Sequence, residues 1–470
     1  MKPTQPYGRM IAIGLIAAGL LLTLGLVQVA GGLSRQPGEV DQALNVSKQS
    51  PPSARRVIPT LQLVAQARSG SQPSAPCAAG ELCAPHSPAV GAGRALTPTG
   101  KDFLIAQGTT DLLRPMAAAG GMVVWYSQGA DGMDVFGLRI GQDGSVGDKP
   151  MLIAGGAGDQ TIPAIAVNKA GGYLVVWQQR QGNGGDLYAR YLASDGRPQG
   201  DPFAIVTAEG DQLRPFVAYV PASDTFLVVW QDARAGGPPD VYARLVPSGS
   251  GSTPGPEFVV SDVSGSHLIP TAACETGQPV CLVVWQDDRN VTAQGTDVYG
   301  RLVDVARNAV MGEEIAVAVE PEYQFSPEVA FNPVSAEYLV VWNDNISARR
   351  VSRTGQPLGD RINVSRESPF QYKPAVAVGT DGSYLIIWED LRDVTNGATK
   401  IYGQWLSPSG ALAGPNFALS TDPRNQYSPS LTFSPRAGGG TFLAAWEDAR
   451  GGSGHLAVYG QWILSAAGGQ

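Results

Sequence analysis

Charged residues are scarce in this chain of 470 residues: only 16% are Lys, Arg, Asp or Glu, and only three histidines and four cysteines occur. Globular proteins average about 25% charged residues. The formal charge of −8 and the pI near 5.0 argue against nucleic-acid binding, which needs a basic surface to displace counterions from phosphates. With so few histidines, at positions 86, 267 and 455, no Ser–His–Asp or metal-ligand set can be assembled. No catalytic residue, metal or cofactor is predicted.

The first 32 residues have the pattern of an export signal. Lys2 and Arg9 precede a mostly apolar run at 10–29 that carries no charge. About 20 apolar residues can span a bilayer, whereas signal peptides usually have shorter apolar cores. We interpret 1–32 as a signal peptide or an N-terminal membrane anchor; a buried core helix is the less favoured alternative. Basic residues before the run place the rest outside the cytoplasm, either secreted or anchored to the cell membrane by residues 10–29.

The two parts that follow differ in composition. Residues 33–98 are rich in Ser, Pro and Ala and poor in aromatic residues, which predicts a flexible stalk. Residues 99–470 are predicted to form the folded body.

The four cysteines form two close pairs, Cys77 with Cys83 and Cys274 with Cys281. In an exported protein such pairs are candidate disulfides. The second pair brackets a loop whose ends would lie side by side in a hairpin. Zinc binding is the less favoured alternative because the spacings are not CxxC and no histidine is near in sequence.

The folded body is periodic. Seven tryptophans, each ending a short apolar run such as YLVVW, recur at intervals of 46 to 58 residues: Trp125, Trp177, Trp230, Trp285, Trp342, Trp388 and Trp446. A proline that opens another apolar run precedes each one: Pro115, Pro163, Pro215, Pro270, Pro327, Pro374 and Pro429. A segment of the Asp-x-Tyr type follows in most units, and then a fourth apolar run. Four short strands about every 50 residues predict an all-β, seven-bladed β-propeller with four antiparallel strands per blade.

The fourth strands are displaced along the chain. One precedes the first proline, in residues 102–106, and none follows the last tryptophan unit. The segment 103–115 matches the spacing of 203–215, which includes the fourth strand of a complete unit. We therefore predict that strand 102–106 completes the last blade and closes the ring, which leaves no open sheet edge.

Two repeated polar features have a structural interpretation. An acidic residue with an arginine follows several tryptophans and predicts a salt bridge that holds a loop: Asp232 with Arg234, Asp288 with Arg289, Asp390 with Arg392, and Asp448 with Arg450. A glutamine three residues before the proline predicts a hydrogen bond to the turn: Gln160, Gln212, Gln324, Gln371 and Gln426. Features that recur in several blades are poor indicators of catalysis.

The combination YLVVWxDxR, D-[VI]-Y-[AG]-x-R and G-x-x-F-x-[IV] resembles repeats of uncharacterised exported bacterial proteins that are thought to be propeller-like. The resemblance covers about residues 100–463 in seven units, of which the first and fifth are degenerate. It implies the fold and no activity.

One face of the predicted propeller collects the residue before each proline, and three of these are basic: Arg114, Arg214 and Lys373. Aromatic residues lie near them in sequence: Tyr323, Phe370, Tyr372 and Tyr427. Bases beside aromatic rings predict a site for an anionic or carbohydrate ligand. The alternative is that these are ordinary solvated loop residues.

Two functional classes follow. The first is an extracytoplasmic, non-catalytic binding or scaffold propeller on a stalk, with a protein or a carbohydrate at the cell surface as its partner. It would be monomeric, and would contact the membrane only through an uncleaved N-terminal segment. The second is an extracellular polysaccharide hydrolase or lyase that uses loop carboxylates such as Glu322 or Glu367.

Overall fold

A computed structural model describes residues 100–465, except 142, 183, 235, 322, 369, 393–397, 437–438 and 452–453. The predicted signal or anchor, the stalk, and the pair Cys77 and Cys83 lie outside the described residues. Within them no helix is long and apolar enough to cross a membrane.

The described chain forms seven four-stranded antiparallel sheets, the blades, which are numbered in chain order. The first strand, β1 (Phe103–Ala106), belongs to blade 7. Blade 1 contains β2 (Leu112–Ala118), β3 (Met122–Gln128), β4 (Met133–Arg139) and β5 (Met151–Ala154). Blade 2 contains β6 (Asp159–Val167), β7 (Tyr173–Gln181), β8 (Gly184–Leu192) and β9 (Pro198–Val206). Blade 3 contains β10 (Gln212–Val220), β11 (Thr225–Asp232), β12 (Asp240–Pro247) and β13 (Glu257–Ser261).

The remaining blades repeat this order. Blade 4 contains β14 (His267–Cys274), β15 (Val280–Asp287), the short helix α1 (Val291–Gln294), β16 (Asp297–Asp304) and β17 (Ala309–Ala318). Blade 5 contains β18 (Phe325–Asn332), β19 (Glu337–Asn343), β20 (Ser347–Ser352) and β21 (Pro357–Asn363). Blade 6 contains β22 (Gln371–Val378), β23 (Tyr384–Asp390), β24 (Lys400–Leu406) and β25 (Leu412–Ala418). Blade 7 contains β26 (Gln426–Arg436), β27 (Gly439–Asp448), β28 (Ala457–Leu464) and β1.

The ring is closed as the displaced strand predicted. β1 pairs with β28, with Phe103 opposite Gly460 and Leu104 opposite Tyr459. The inner strand of every blade contacts the inner strand of the next, and β26 of blade 7 contacts β2 of blade 1. The prediction of a seven-bladed β-propeller is confirmed.

The core lies between neighbouring blades. All seven repeat tryptophans are at most 1% exposed. Trp230 of blade 3, for example, packs in one cluster with Leu174 and Ile205 of blade 2. Because each blade buries both of its faces against neighbours, the second strands carry consecutive apolar residues and do not alternate.

The seven inner strands share a bulge before the proline. Their pairing shifts register across the residue that precedes the proline. That residue has a φ of 48° to 54° in every blade: Arg114, Ile162, Arg214, Ile269, Ser326, Lys373 and Ser428. A positive φ costs a residue other than glycine about 1–3 kcal/mol. The bulge therefore lowers the stability of each blade, and it turns the backbone N–H of this residue away from the hydrogen-bond ladder between the strands.

Two sequence-based interpretations need comment. The disulfide between Cys274 and Cys281 is confirmed, and it joins directly opposed residues of β14 and β15. His267 follows a glycine and a serine between two repeat units, which predicts a loop between blades, and this prediction is wrong. His267 begins β14 and is fully buried, where other blades have the repeated glutamine. It fits there because its ring packs edge-on against Trp285, with centroids 6.1 Å apart.

Candidate functional site

The end of the ring at which the inner strands begin, here called the upper face, carries a repeated polar cluster. In blade 6, Asp390 Oδ2 accepts hydrogen bonds from Trp388 Nε1 at 2.8 Å and Arg392 Nη2 at 2.6 Å. The Arg392 guanidinium lies 3.9 Å from the ring centroid of Tyr402. Burial alone would raise the pKa of Asp390, but hydrogen bonds from Arg392 and Trp388 hold it below its ordinary value. We call this cluster of Trp, Asp, Arg and Tyr the clasp.

The clasp recurs in blades 3, 4 and 7, where the Asp and Arg are Asp232 and Arg234, Asp287 and Arg289, and Asp448 and Arg450. The predicted salt bridges are therefore confirmed, with one correction. In blade 4 the carboxylate is that of Asp287, not Asp288, because Asp287 is the residue two places after Trp285 and receives its Nε1 at 2.8 Å. The clasp therefore joins the loop after the second strand to the buried tryptophan of its blade.

In four blades the residue after the tryptophan connects its blade to the next. Gln231 Oε1 accepts the N–H of the bulged Ile269 at 3.3 Å. In blade 7 a carboxylate replaces this amide, and Glu447 Oε1 accepts the N–H of Arg114 at 2.8 Å. In blade 6 Glu389 Oε1 accepts that of Ser428 at 2.5 Å. Two buried acidic side chains thus lie close to the centre of the upper face.

One of the three predicted bases, Lys373, pairs with these carboxylates. Lys373 Nζ lies 3.0 Å from Glu389 Oε1 and 3.1 Å from Ser428 Oγ. Burial raises the pKa of Glu447, against the opposing effects of the Arg114 backbone N–H and the Lys373 charge. The structure brings together Lys373, Arg114 and both glutamates.

The Arg114 and Arg214 side chains are partly buried near each other. Burial and the positive charge of Arg114 lower the pKa of Arg214 to about 10. Both charges act on the hydroxyl of Tyr126, whose pKa is raised chiefly by burial. Among the residues that the structure describes, neither guanidinium has a hydrogen bond or an ion pair with a protein group. Two like charges thus lie near enough to interact, and neither has an ion-pair partner among the described residues.

The predicted aromatic residues lie on blades 5, 6 and 7. Tyr372 is paired with Glu389, and Tyr427 with Glu447, in the strand ladders. Tyr323 and Phe370 are 48% and 46% exposed in the loops that lead into β18 and β22. Their role in binding stays a prediction.

The carboxylates named for the hydrolase alternative are differently placed. Glu322 lies outside the described residues. Glu367 is exposed and contacts Arg392 of the blade 6 clasp. The sequence reasoning overlooked Glu389 and Glu447; the available signal was an acid where the second, third and fourth blades have glutamine after tryptophan. No group of three or more His, Cys, Asp or Glu in the described part could hold a metal ion.

No protein-family model matches the chain, and no curated protein is similar to it in sequence. Several solved structures are similar at low identity. A protein of unknown function from Dyadobacter fermentans is 12% identical, with 78% of this chain and 98% of that one covered and a TM-score of 0.47. An α-L-arabinofuranosidase from Fusarium graminearum is 12% identical, with 66% and 98% covered and a TM-score of 0.43. A sialidase from Trypanosoma rangeli is 8% identical, with 78% and 59% covered and a TM-score of 0.44. Similarity at this level carries no argument about what this chain binds.

Proposed function

We propose that this protein is an exported, non-catalytic binding propeller, held on a stalk, that binds an anionic group of a cell-surface carbohydrate or protein. The ligand would lie at the centre of the upper face. The observation that carries the proposal is the pair Arg114 and Arg214, whose guanidinium groups form no ion pair or hydrogen bond with any described residue.

The pair is unusual within this molecule. Every other described arginine has a hydrogen bond, an ion pair or another contact of its side chain, including those of the four clasps. Bringing two positive charges together in a partly buried place is unfavourable unless an anion joins them. A carboxylate, sulfate or phosphate matches the fork of donors that a guanidinium presents.

A hydrolase is the second candidate, and one observation favours it. The pKa of Glu447 is raised by burial, and its partner Glu389 is near enough for the two charges to interact. A protonated acid beside a second carboxylate is the arrangement that glycoside hydrolysis uses. Against it, both glutamates already bind bulge N–H groups, as Gln231 does in another blade. This gives them a structural role that requires no reaction.

The proposal is tested by titrating the purified full-length chain with acidic polymers: polygalacturonate, alginate, heparin and poly-L-glutamate. Replacing both Arg114 and Arg214 by alanine should weaken binding at least about 10-fold, since charged hydrogen bonds contribute roughly 1.5–3 kcal/mol each. Arg197→Ala is the matched control. That arginine is 80% exposed, and its one acidic neighbour, 3.7 Å away, is exposed as well, so its loss should leave the upper face unchanged.

Unchanged affinity of the double variant for every polymer that the wild-type chain binds would disprove the binding proposal. Release of reducing ends or unsaturated sugars by the wild type, and its loss in Glu447→Gln, would favour the hydrolase instead.

A further inference from the structure

The seven blades allow the same position to be compared seven times. The position four residues before the inner-strand proline has a capping role in four blades. Its side-chain oxygen accepts an N–H at or beside the start of the preceding blade's third strand at 2.7–3.0 Å: Asp111 from Leu456, Asp159 from Met133, Asp211 from Gly185, and Asn425 from Thr399. In blade 4 it is another small polar residue, Ser266.

Blades 5 and 6 depart from this pattern at neighbouring loops. Tyr323 and Phe370 occupy the capping position, and neither side chain can accept an N–H in the same way. About half of each ring is open to solvent. The Tyr323 ring stacks on Phe325 with centroids 5.4 Å apart and planes 6° apart, so its orientation is fixed. Exposed aromatic rings on one face indicate a binding surface more than a packing need.

A second position also has aromatic residues in neighbouring blades. Two residues before the proline, blades 5, 6 and 7 have Phe325, Tyr372 and Tyr427. The four other blades have aliphatic or small residues there: Leu113, Thr161, Leu213 and Leu268. The aromatic residues at these two positions therefore form one arc over blades 5 to 7.

Blade 5 also has an unusually short connection between strands at this face. Its second and third strands are joined by residues 344–346 alone, and Trp342 pairs with Ser347. In blade 6 the equivalent Trp388 pairs with Tyr402, beyond a long loop. The short turn leaves a notch above blade 5, with Tyr323 in the loop on one side and Phe370 in the loop on the other.

Charges beside the notch are already neutralised. Arg361 Nη1 lies 2.7 Å from Glu320 and 2.6 Å from Asp344. Arg349 lies 3.3 Å from Glu320. Among the described residues, the exposed rings, and not an unpaired charge, are therefore what the notch offers a ligand.

We propose that this notch is a sugar-stacking subsite, and that the ligand of the upper face is an acidic polysaccharide. The C–H groups on one face of a sugar ring carry partial positive charge and pack on the negative face of an aromatic ring. Tyr323 and Phe370, on separate loops, would hold sugars of one chain, while Arg114 and Arg214 bind an acidic group of the same chain. This inference rests on the proposed anion site.

The experiment compares a sugar polyanion with one that contains no sugar. The full-length chain is titrated with polygalacturonate, alginate and hyaluronan, and with poly-L-glutamate. Replacing Tyr323 and Phe370 by alanine should weaken binding of the polysaccharides about 10-fold or more, since each stacking contact contributes about 1 kcal/mol. Binding of poly-L-glutamate should not change. Leu412→Ala, at an apolar residue that is 50% exposed on the outer strand β25, is the control.

Equal loss for both kinds of polymer, or no loss for either, would overturn the subsite. Loss confined to the polysaccharides, together with full binding by the variant that lacks Arg114 and Arg214, would support the subsite and disprove the anion site. Tight binding of poly-L-glutamate alone would indicate an acidic protein as the partner and overturn the inference. Failure of every acidic polymer to bind would overturn both.

Discussion

Blade 5 and the four clasped blades use the same four-stranded sheet and differ at the upper face. In blades 3, 4, 6 and 7 the clasp fixes a long loop to the buried tryptophan. In blade 5 Ser347 stands where the clasp has its Tyr, and the loop is reduced to a turn with Asn345 and Ile346 at positive φ. The repeat supplies rigidity, and the unit that departs from it leaves room for a ligand.

In blade 7, which has a clasp, the second acidic partner of the arginine comes from the beginning of the described chain. Arg450 Nη1 lies 2.5 Å from Asp102, just before β1, and Ser420 Oγ donates to the same carboxylate at 2.7 Å. In blade 3 the corresponding partner of Arg234 is Glu257 of the blade's own fourth strand, at 2.7 Å. The comparison predicts that ring closure depends on the contact between Arg450 and Asp102. Blade 3 makes the equivalent contact within one continuous stretch of chain.

The largest effect is expected from deleting residues 99–108. The deletion removes the buried Ile105 and Ala106 and the partner of Arg450, and it exposes the edge of β28. The melting temperature should fall by about 5–10 °C. Adding a peptide of residues 99–108 should restore part of it. A melting temperature within 1 °C of the full-length chain would contradict closure by β1.

Breaking an internal clasp should have the next largest effect. Asp390→Ala removes the acceptor of Trp388 and leaves Arg392 partly buried with only the exposed Glu367 as counter-charge. Loss of one partner of a buried ion pair costs about 3–5 kcal/mol. The free energy of unfolding from urea titration checks this. Asp360→Ala, at an exposed position of blade 5, should change it by less than about 0.5 kcal/mol; equal effects would show that the clasp is dispensable.

The smallest effect concerns a further difference of blade 5. After the inner-strand proline it has Glu328, where the other blades have neutral residues: Met116, Ala164, Phe216, Thr271, Ala375 and Ser430. Burial raises the pKa of Glu328 to about 8, above about 4.3 for an unfolded glutamate. Between these pH values the unfolded chain releases a proton that the native protein keeps. The free energy of unfolding therefore falls as pH rises.

Glu328→Gln should remove that dependence. The variant should match the wild type near pH 4 and be more stable than the wild type near pH 8.5. Urea titrations at both pH values measure the difference. Glu313→Gln, at an exposed residue of β17, is the control. A stability difference that is the same at both pH values would refute the titration of Glu328.

Much of the fold followed from the sequence because the stabilising pattern is local and repeated. Each tryptophan and each proline marks the same place in its blade, and the spacing around Asp102 was enough to identify β1. The candidate site was harder to predict from the sequence. Arg114 and Glu447 are 333 residues apart, and no local pattern links them. The positive φ before each proline is likewise invisible in the sequence, since the seven blades have Arg, Ile, Ser or Lys there and none has glycine.

The sequence also left ambiguous which residue occupies a given position of the repeat. Asp287 and Asp288 are adjacent, and only the hydrogen bond from Trp285 distinguishes them. His267 looked like a loop residue because its neighbours are Gly, Ser and Asp. Its burial depends on Asp240 and Asp287, 3.6 and 3.5 Å away, one of them in the preceding blade.

The pairing of β1 with β28 also sets an order for biosynthesis. β1 is made before all other strands of the ring, while its partner, Ala457–Leu464, is made last. During elongation the first strand has no sheet to join, and six blades can be complete before it finds one. The ring therefore cannot close before the third strand of blade 7 has been made. A chain truncated within blade 7 would have an unpaired strand at one end and an open sheet at the other.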